Sequence, residues 1–129
     1  MKVYIDGGCQ PNSGPVEKRI IRCVVTDESG IVLVDKTSRG GSNNIAELWA
    51  LCEALEFAKS CQNVSSLEIF TDSKNNIAWF NGRIGKKLND RQMVLTLYGL
   101  VCKLCLEVPT TVTWLPRHNN LAGLHIEQS

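Results

Sequence analysis

No stretch of the 129-residue sequence approaches the roughly 20 consecutive apolar residues that a membrane-crossing helix needs. The first residues enter a strand-like pattern directly, with no charged-then-apolar leader, so a soluble, cytoplasmic protein is the expectation. Charge of either sign is not in excess. The formal net charge is +1, and any nucleic-acid partner must therefore be held by local basic residues rather than by a strongly basic whole. Repeats, linkers and low-complexity segments are missing too. With 43% hydrophobic and 21% charged residues, the composition fits one globular domain over 1–129, large enough to bury its own core and expected to be a monomer. The six cysteines lie in apolar contexts such as RCVV, ALCEAL and LVCKLCLE, without a secretory leader, and read as buried thiols rather than disulfides. Cys102 and Cys105 form a CxxC without the second pair that a structural zinc site needs, so they too read as core packing.

Apolar runs at Val3–Ile5, Ile20–Val25 and Ile31–Val34 are separated by the turn-rich QPNSGP and DESG, which predicts a three-strand antiparallel meander. From Ile45 to Ala58 the positions Ala46, Trp49, Leu51, Cys52, Leu55 and Ala58 recur at helical spacing, after an SNN segment rich in capping residues. LEIF is a short strand that ends in TDS and leads into the helix-like KNNIAWF. GRIGKKLND reads as a basic loop, Arg91 to Glu107 as a long amphipathic helix and TVTWL as a final strand before a helical tail. Strands alternating with helices after an antiparallel start predict an α/β domain with a mixed central sheet.

Three acids stand at element ends. Asp6 closes the run VYID before two glycines, Glu47 lies in the first turn of the first helix, and Asp72 closes LEIFTD. Each has an ordinary reading: turn chemistry for Asp6, a capping box with Asn44 for Glu47, and a helix cap for Asp72. Taken together they read differently. If the first and fourth strands are neighbours, Asp6 and Asp72 face each other at one sheet edge, and a helix packed across them brings in Glu47. Such a carboxylate trio persists when a cation neutralises it, and oxygen-only ligands select a hard ion such as Mg²⁺ or Mn²⁺.

The segments YIDGGCQPNSGP, GGSNNIAELWAL and LEIFTDSKNNIAWF, in that order, resemble the first three motifs of type 1 ribonuclease H. The resemblance implies a ribonuclease H-like fold with a five-stranded mixed sheet flanked by helices. It implies Asp6, Glu47 and Asp72 as ligands of two divalent ions, Mg²⁺ or Mn²⁺, in an endonuclease that cleaves the RNA strand of RNA/DNA hybrids. Asn12 and Asn44 would reach the hybrid's minor groove, where polar amides suit ribose 2′-hydroxyls and base edges. Ser42, Asn43, Lys74, Lys86 and Lys87 complete the candidate nucleic-acid contacts.

The family's fourth acid opens the helix after the last strand, in a run like W-V-P-R-x-x-N-x-x-A-D. Here the run is WLPRHNNLAGLHIEQS, and aligning Trp114, Pro116, Arg117 and Asn120 puts the expected acid on Leu124. Glu127, one helical turn further on, points its longer arm back toward the gap and is the preferred substitute, with His125 and Asn120 as alternatives. A helix so near the chain end is expected to fray. His118 resembles the family's mobile histidine. A ribonuclease H-like binding module with weakened catalysis is the competing reading.

Overall fold

The computed structural model describes residues 1–11, 14–86 and 90–129, so Asn12 and Lys87 lie outside the described residues. Strands β1 (Lys2–Gln10), β2 (Ile20–Asp27) and β3 (Val32–Arg39) form the antiparallel meander. Helix α1 (Asn43–Ser60) follows, then β4 (Leu67–Thr71), α2 (Lys74–Phe80), α3 (Arg91–Cys105), β5 (Thr110–Trp114) and α4 (Leu121–Gln128). The five strands make one sheet in the order β3-β2-β1-β4-β5, with β4 parallel to both β1 and β5. This is the mixed α/β sheet of a ribonuclease H-like fold, flanked by four α-helices. Among the described residues no helix is long and apolar enough to cross a membrane.

The core follows from alternation along the strands. Val3 and Ile5 of β1 and Leu67 and Ile69 of β4 are fully buried, together with the Leu48, Leu51 and Leu55 row of α1. In β2, Cys23, Val24 and Val25 are buried in succession, which means that both faces of the sheet are covered there. α1 packs on β1 and β2, and α4 also packs on β1 and β2.

Two helix starts set aside the ordinary capping readings of Glu47 and Asp72. The N-cap of α1 is Ser42, whose Oγ accepts from the Ile45 amide at 3.3 Å, so Asn44 and Glu47 form no capping box. Ser73, not Asp72, caps α2, accepting from the Asn76 amide at 3.1 Å. Both acids are thereby released from backbone duty. The cysteines also divide: Cys9, Cys23 and Cys52 are buried, Cys61 and Cys105 are partly buried, and Cys102 is exposed on the outer side of α3, away from the core row Val94, Val101 and Leu104. None of the six is in a disulfide.

One close approach positions everything that follows. A Cβ on Gly7 would lie 2.3 Å from the Ala46 carbonyl and 2.6 Å from the Glu47 amide nitrogen. The missing side chain therefore lets the backbone of α1 lie against β1 at the residue that carries Glu47. Gly7→Ala is expected to push α1 off the sheet and lower the melting temperature by about 10 °C or more. Thermal denaturation checks it; an unchanged melting temperature would refute the tight contact.

Candidate active site

The parallel register between β1 and β4 pairs Val3 with Ile69 and Tyr4 with Phe70. Asp6 and Asp72 each lie two residues beyond the last of these pairs. Because side chains alternate with a period of two, both acids fall on the face where the Tyr4 and Phe70 rings stack at 5.3 Å. Glu47 enters from α1. One carboxylate oxygen from each of Asp6, Glu47 and Asp72 lies within 4.8 Å of the others. Glu47 is held in place by α2: its Oε2 accepts from Ser73 Oγ at 2.8 Å, and its backbone carbonyl accepts from Asn76 Nδ2 at 2.9 Å.

This arrangement is electrostatically costly. Asp6 is only 3% exposed, and its Oδ1 has no hydrogen-bond partner. Burial, reinforced by the charge of Asp72, raises its pKa from 3.8 to about 7 against the opposing pull of Arg117. Burial also raises the Glu47 pKa, partly offset by the Ser73 hydrogen bond. The donor set fits hard divalent cations: all its atoms are carboxylate oxygens, and Asp6 carries a buried Oδ1 without a hydrogen-bond partner. Asp6 and Glu47 open into a groove of about 610 Å³ whose lining also includes Gly8, Asn43, Arg22 and Arg117.

The RNase H family model matches residues 1–125 of the chain. The chain belongs to the RNase H family. Comparison with curated proteins returns no match. Among solved structures, the N-terminal RNase H domain of a Mycobacterium tuberculosis protein is 26% identical, with a TM-score of 0.69 over 95% of this chain and 92% of that one. LC11-RNase H1, isolated from compost by a metagenomic approach, is 27% identical in its complex with an RNA/DNA hybrid, with a TM-score of 0.65 over 92% of this chain and 87% of that one. RNase H1 from the archaeon Halobacterium salinarum, at 24% identity, shares the fold with a TM-score of 0.70 over 99% and 98% of the two chains.

The other residues singled out from this RNase H sequence divide by location. Asn43 Oδ1 accepts from the Cys9 amide at 2.9 Å and ties α1 to β1, while Asn44 accepts from Asn75 at 3.0 Å and ties α1 to α2. Ser42 donates to Asp90 at 2.5 Å besides capping its helix. Lys86 is exposed, and Lys74 lies 5.7 Å above the ring of Trp114, a cation–π contact at the rim of the acids. His118 is exposed on a 3₁₀ turn, Arg117–Asn119, outside the carboxylate group.

The fourth-ligand candidates do not join that group. Glu127 Oε1 accepts from Arg117 Nε at 2.9 Å and reaches the acids only through that guanidinium. His125 Nε2 lies 3.3 Å from Asp35, on the side of β3. Asn120 is buried with both side-chain atoms engaged: Nδ2 donates to the Ile5 carbonyl at 2.8 Å and Oδ1 accepts from the Ala122 amide. The tail helix is also tied down rather than left to fray. Arg22 donates to both Asp35 oxygens, at 2.9 and 2.8 Å, and to Ser129 Oγ at 2.7 Å.

Sequence reasoning missed three contributors. Trp114 is pinned beside the site by Nε1 donating to the Asp72 carbonyl at 3.2 Å, and Arg117 Nη1 lies 3.4 Å from Asp72 and 3.8 Å from Asp6. Their signal was only a place in the WLPR run. The third is Gly123: a Cβ there would sit 3.3 Å from Asp6 Oδ2, which makes position 123 the face of α4 that looks onto the acids.

Two outcomes follow from this geometry. Asp6 has a folded pKa of about 7, above its value of 3.8 when unfolded, so between these values the folded protein holds a proton that the unfolded chain has released. Its contribution is fully present below about pH 4 and is lost as pH rises through about 7. In chelator, stability of the parent should fall across that window more steeply than stability of Asp6→Asn; parallel pH profiles would refute the buried acid. Secondly, Leu124→Asp, which puts an acid where the run after Trp114 is expected to carry one, should tighten Mn²⁺ binding by about tenfold through an added charged ligand, whereas Gly123→Asp, whose Cβ would sit 3.3 Å from Asp6 Oδ2, should not. Calorimetric titration of both variants decides between positions 123 and 124.

Proposed function

We propose that this RNase H protein is an endonuclease that hydrolyses the RNA strand of RNA/DNA hybrids with two divalent ions, Mg²⁺ or Mn²⁺. The observation that carries this reading is the convergence of Asp6, Glu47 and Asp72 within 4.8 Å, with Asp6 Oδ1 buried and unpartnered. Bound divalent ions supply an activated water for attack on the scissile phosphate and charge stabilisation of the departing oxygen. Asp6, central and buried, and Asp72 at the end of β4 would hold them together with Glu47. Ser73 and Asn76 orient Glu47, so that its carboxylate is aimed before any ligand arrives.

The groove beside the acids gives a nucleic-acid backbone access to them, and the similarity to LC11-RNase H1 in complex with an RNA/DNA hybrid supports hybrid as the substrate. Arg117 offers a cation at the mouth of the site for a phosphate. Lys74 and Trp114 at the rim, with Lys86 and the amides of Asn43 and Asn44 further along, are the proposed strand contacts, and exposed His118 is proposed to assist product release. One observation favours a weakened or binding-only protein as the second reading: α4 turns Gly123, not an acid, toward Asp6.

Labelled hybrid, duplex RNA and duplex DNA incubated with Mg²⁺, with Mn²⁺ and with chelator separate the two readings. Metal-dependent cleavage of the RNA strand of the hybrid is the expected result. Asp72→Asn should cut that activity by ~10³-fold or more with an unchanged circular dichroism spectrum, because Ser73 rather than Asp72 caps α2. Binding of hybrid without turnover under any metal would establish the binding module instead.

A further inference from the structure

Arg117 is the only residue that makes ion pairs with Asp6 and Asp72 among the described residues. Its contacts are unequal. Toward the acids it reaches 3.4 and 3.8 Å, whereas its Nε donates to Glu127 Oε1 at 2.9 Å. The partners also differ in freedom. The Asp6 and Asp72 side chains, one from the middle of β1 and the other just past β4, are 2% and 8% exposed; those of Arg117 and Glu127 are 56% and 50% exposed. One guanidinium is thus shared between a buried acid pair that it engages at longer range and an exposed acid that holds it closely.

We propose that Arg117 is the resident counter-ion of the acid cluster, competing with divalent cations for Asp6 and Asp72, and that Glu127 is a positioning residue that draws Arg117 away from them. The inference rests on the reading that these acids take divalent ions. A guanidinium less than 4 Å from both carboxylates offsets their mutual repulsion while no metal is bound, and it repels an arriving dication by the same Coulomb term. Removing it has two opposite consequences: the metal-free protein loses stability, and the cation binds more tightly. A merely structural arginine would produce only the first. Glu127 then influences metal loading without being a ligand. Neutralising it leaves Arg117 with the two aspartates as its only ion-pair partners among the described residues, and the cation meets more competition.

The test is Mn²⁺ binding by calorimetry, with free Mn²⁺ followed by electron paramagnetic resonance, alongside thermal denaturation in chelator. It uses the full chain and the variants Arg117→Gln, Arg117→Lys, Glu127→Gln and Arg117→Gln/Glu127→Gln. Arg117→Gln should bind Mn²⁺ about tenfold more tightly and melt lower in chelator, a deficit that saturating Mn²⁺ removes. Arg117→Lys, which keeps the charge, should stay near the parent. Glu127→Gln alone should weaken Mn²⁺ binding, and in the Arg117→Gln background it should have no effect. Weakening by Glu127→Gln in both backgrounds would make Glu127 a direct ligand and overturn the inference. Equal Mn²⁺ affinity of parent and Arg117→Gln, with binding lost in Asp72→Asn, would overturn it while leaving the nuclease reading intact; a parent that binds no Mn²⁺ would overturn both.

Discussion

The mutual repulsion of three carboxylates is the constraint around which this RNase H fold is arranged. Asp6, Glu47 and Asp72 are carried by three different elements, and each would move apart if its support were soft. The supports are rigid for identifiable reasons. The parallel β1–β4 register levels Asp6 with Asp72 inside a hydrogen-bonded sheet, and the backbone contact at Gly7 locks α1 against β1. Ser73 links α2 to Glu47. What the sheet and helices impose, charge must offset: a proton on Asp6, the guanidinium of Arg117, or cations from solution. Each answers the same cost of burying unpaired carboxylates.

A second arrangement makes the surroundings of the acids asymmetric. On the α1 side Glu47 is oriented by hydrogen bonds and partly buried. On the α4 side the helix is anchored firmly, through Asn120 to Ile5 and through Arg22, Asp35, His125 and Ser129, yet it presents a glycine to Asp6. A well-held helix with no acid on its inner face is different from a frayed one. The departure from the expected fourth acid is therefore one of chemistry on α4 and not of a missing or loose helix. Around it, the shared fold extends across nearly the whole length of structures only 24–27% identical in sequence.

Much of this was legible in the residues. Alternation in β1 and β4, helical spacing in α1 and the boundaries of KNNIAWF placed the elements to within a few residues, because burial on one face imposes a period that survives in a single sequence. The position of Asp72 at the end of β4 was equally visible, whereas Asp6, read as closing its strand, lies in the middle of β1, because Gly7 to Gln10 continue the pairing with β2. Helix caps were not. Ser42, Asn43 and Asn44 are all competent to cap, and the choice of Ser42 depends on where α1 meets β1 at Gly7, a contact between segments far apart in the chain. Cys102 misled for a similar reason: its neighbours are apolar, but the face of α3 that meets the core is set by α1 packing against it.

By itself, then, the sequence determined the order of elements, the mixed sheet and the identity of the three acids, since local periodicity and motif spacing encode them directly. Tertiary structure alone decided that Glu47 answers to Ser73, that Gly123 faces Asp6, and that Arg117 and Glu127 meet over the site. None of these has a local signature. A loop arginine and a solvent-facing glutamate look the same in sequence whether they are solvated or shared with a buried carboxylate, and only the chain's return across the end of the sheet brings those charges within reach of one another.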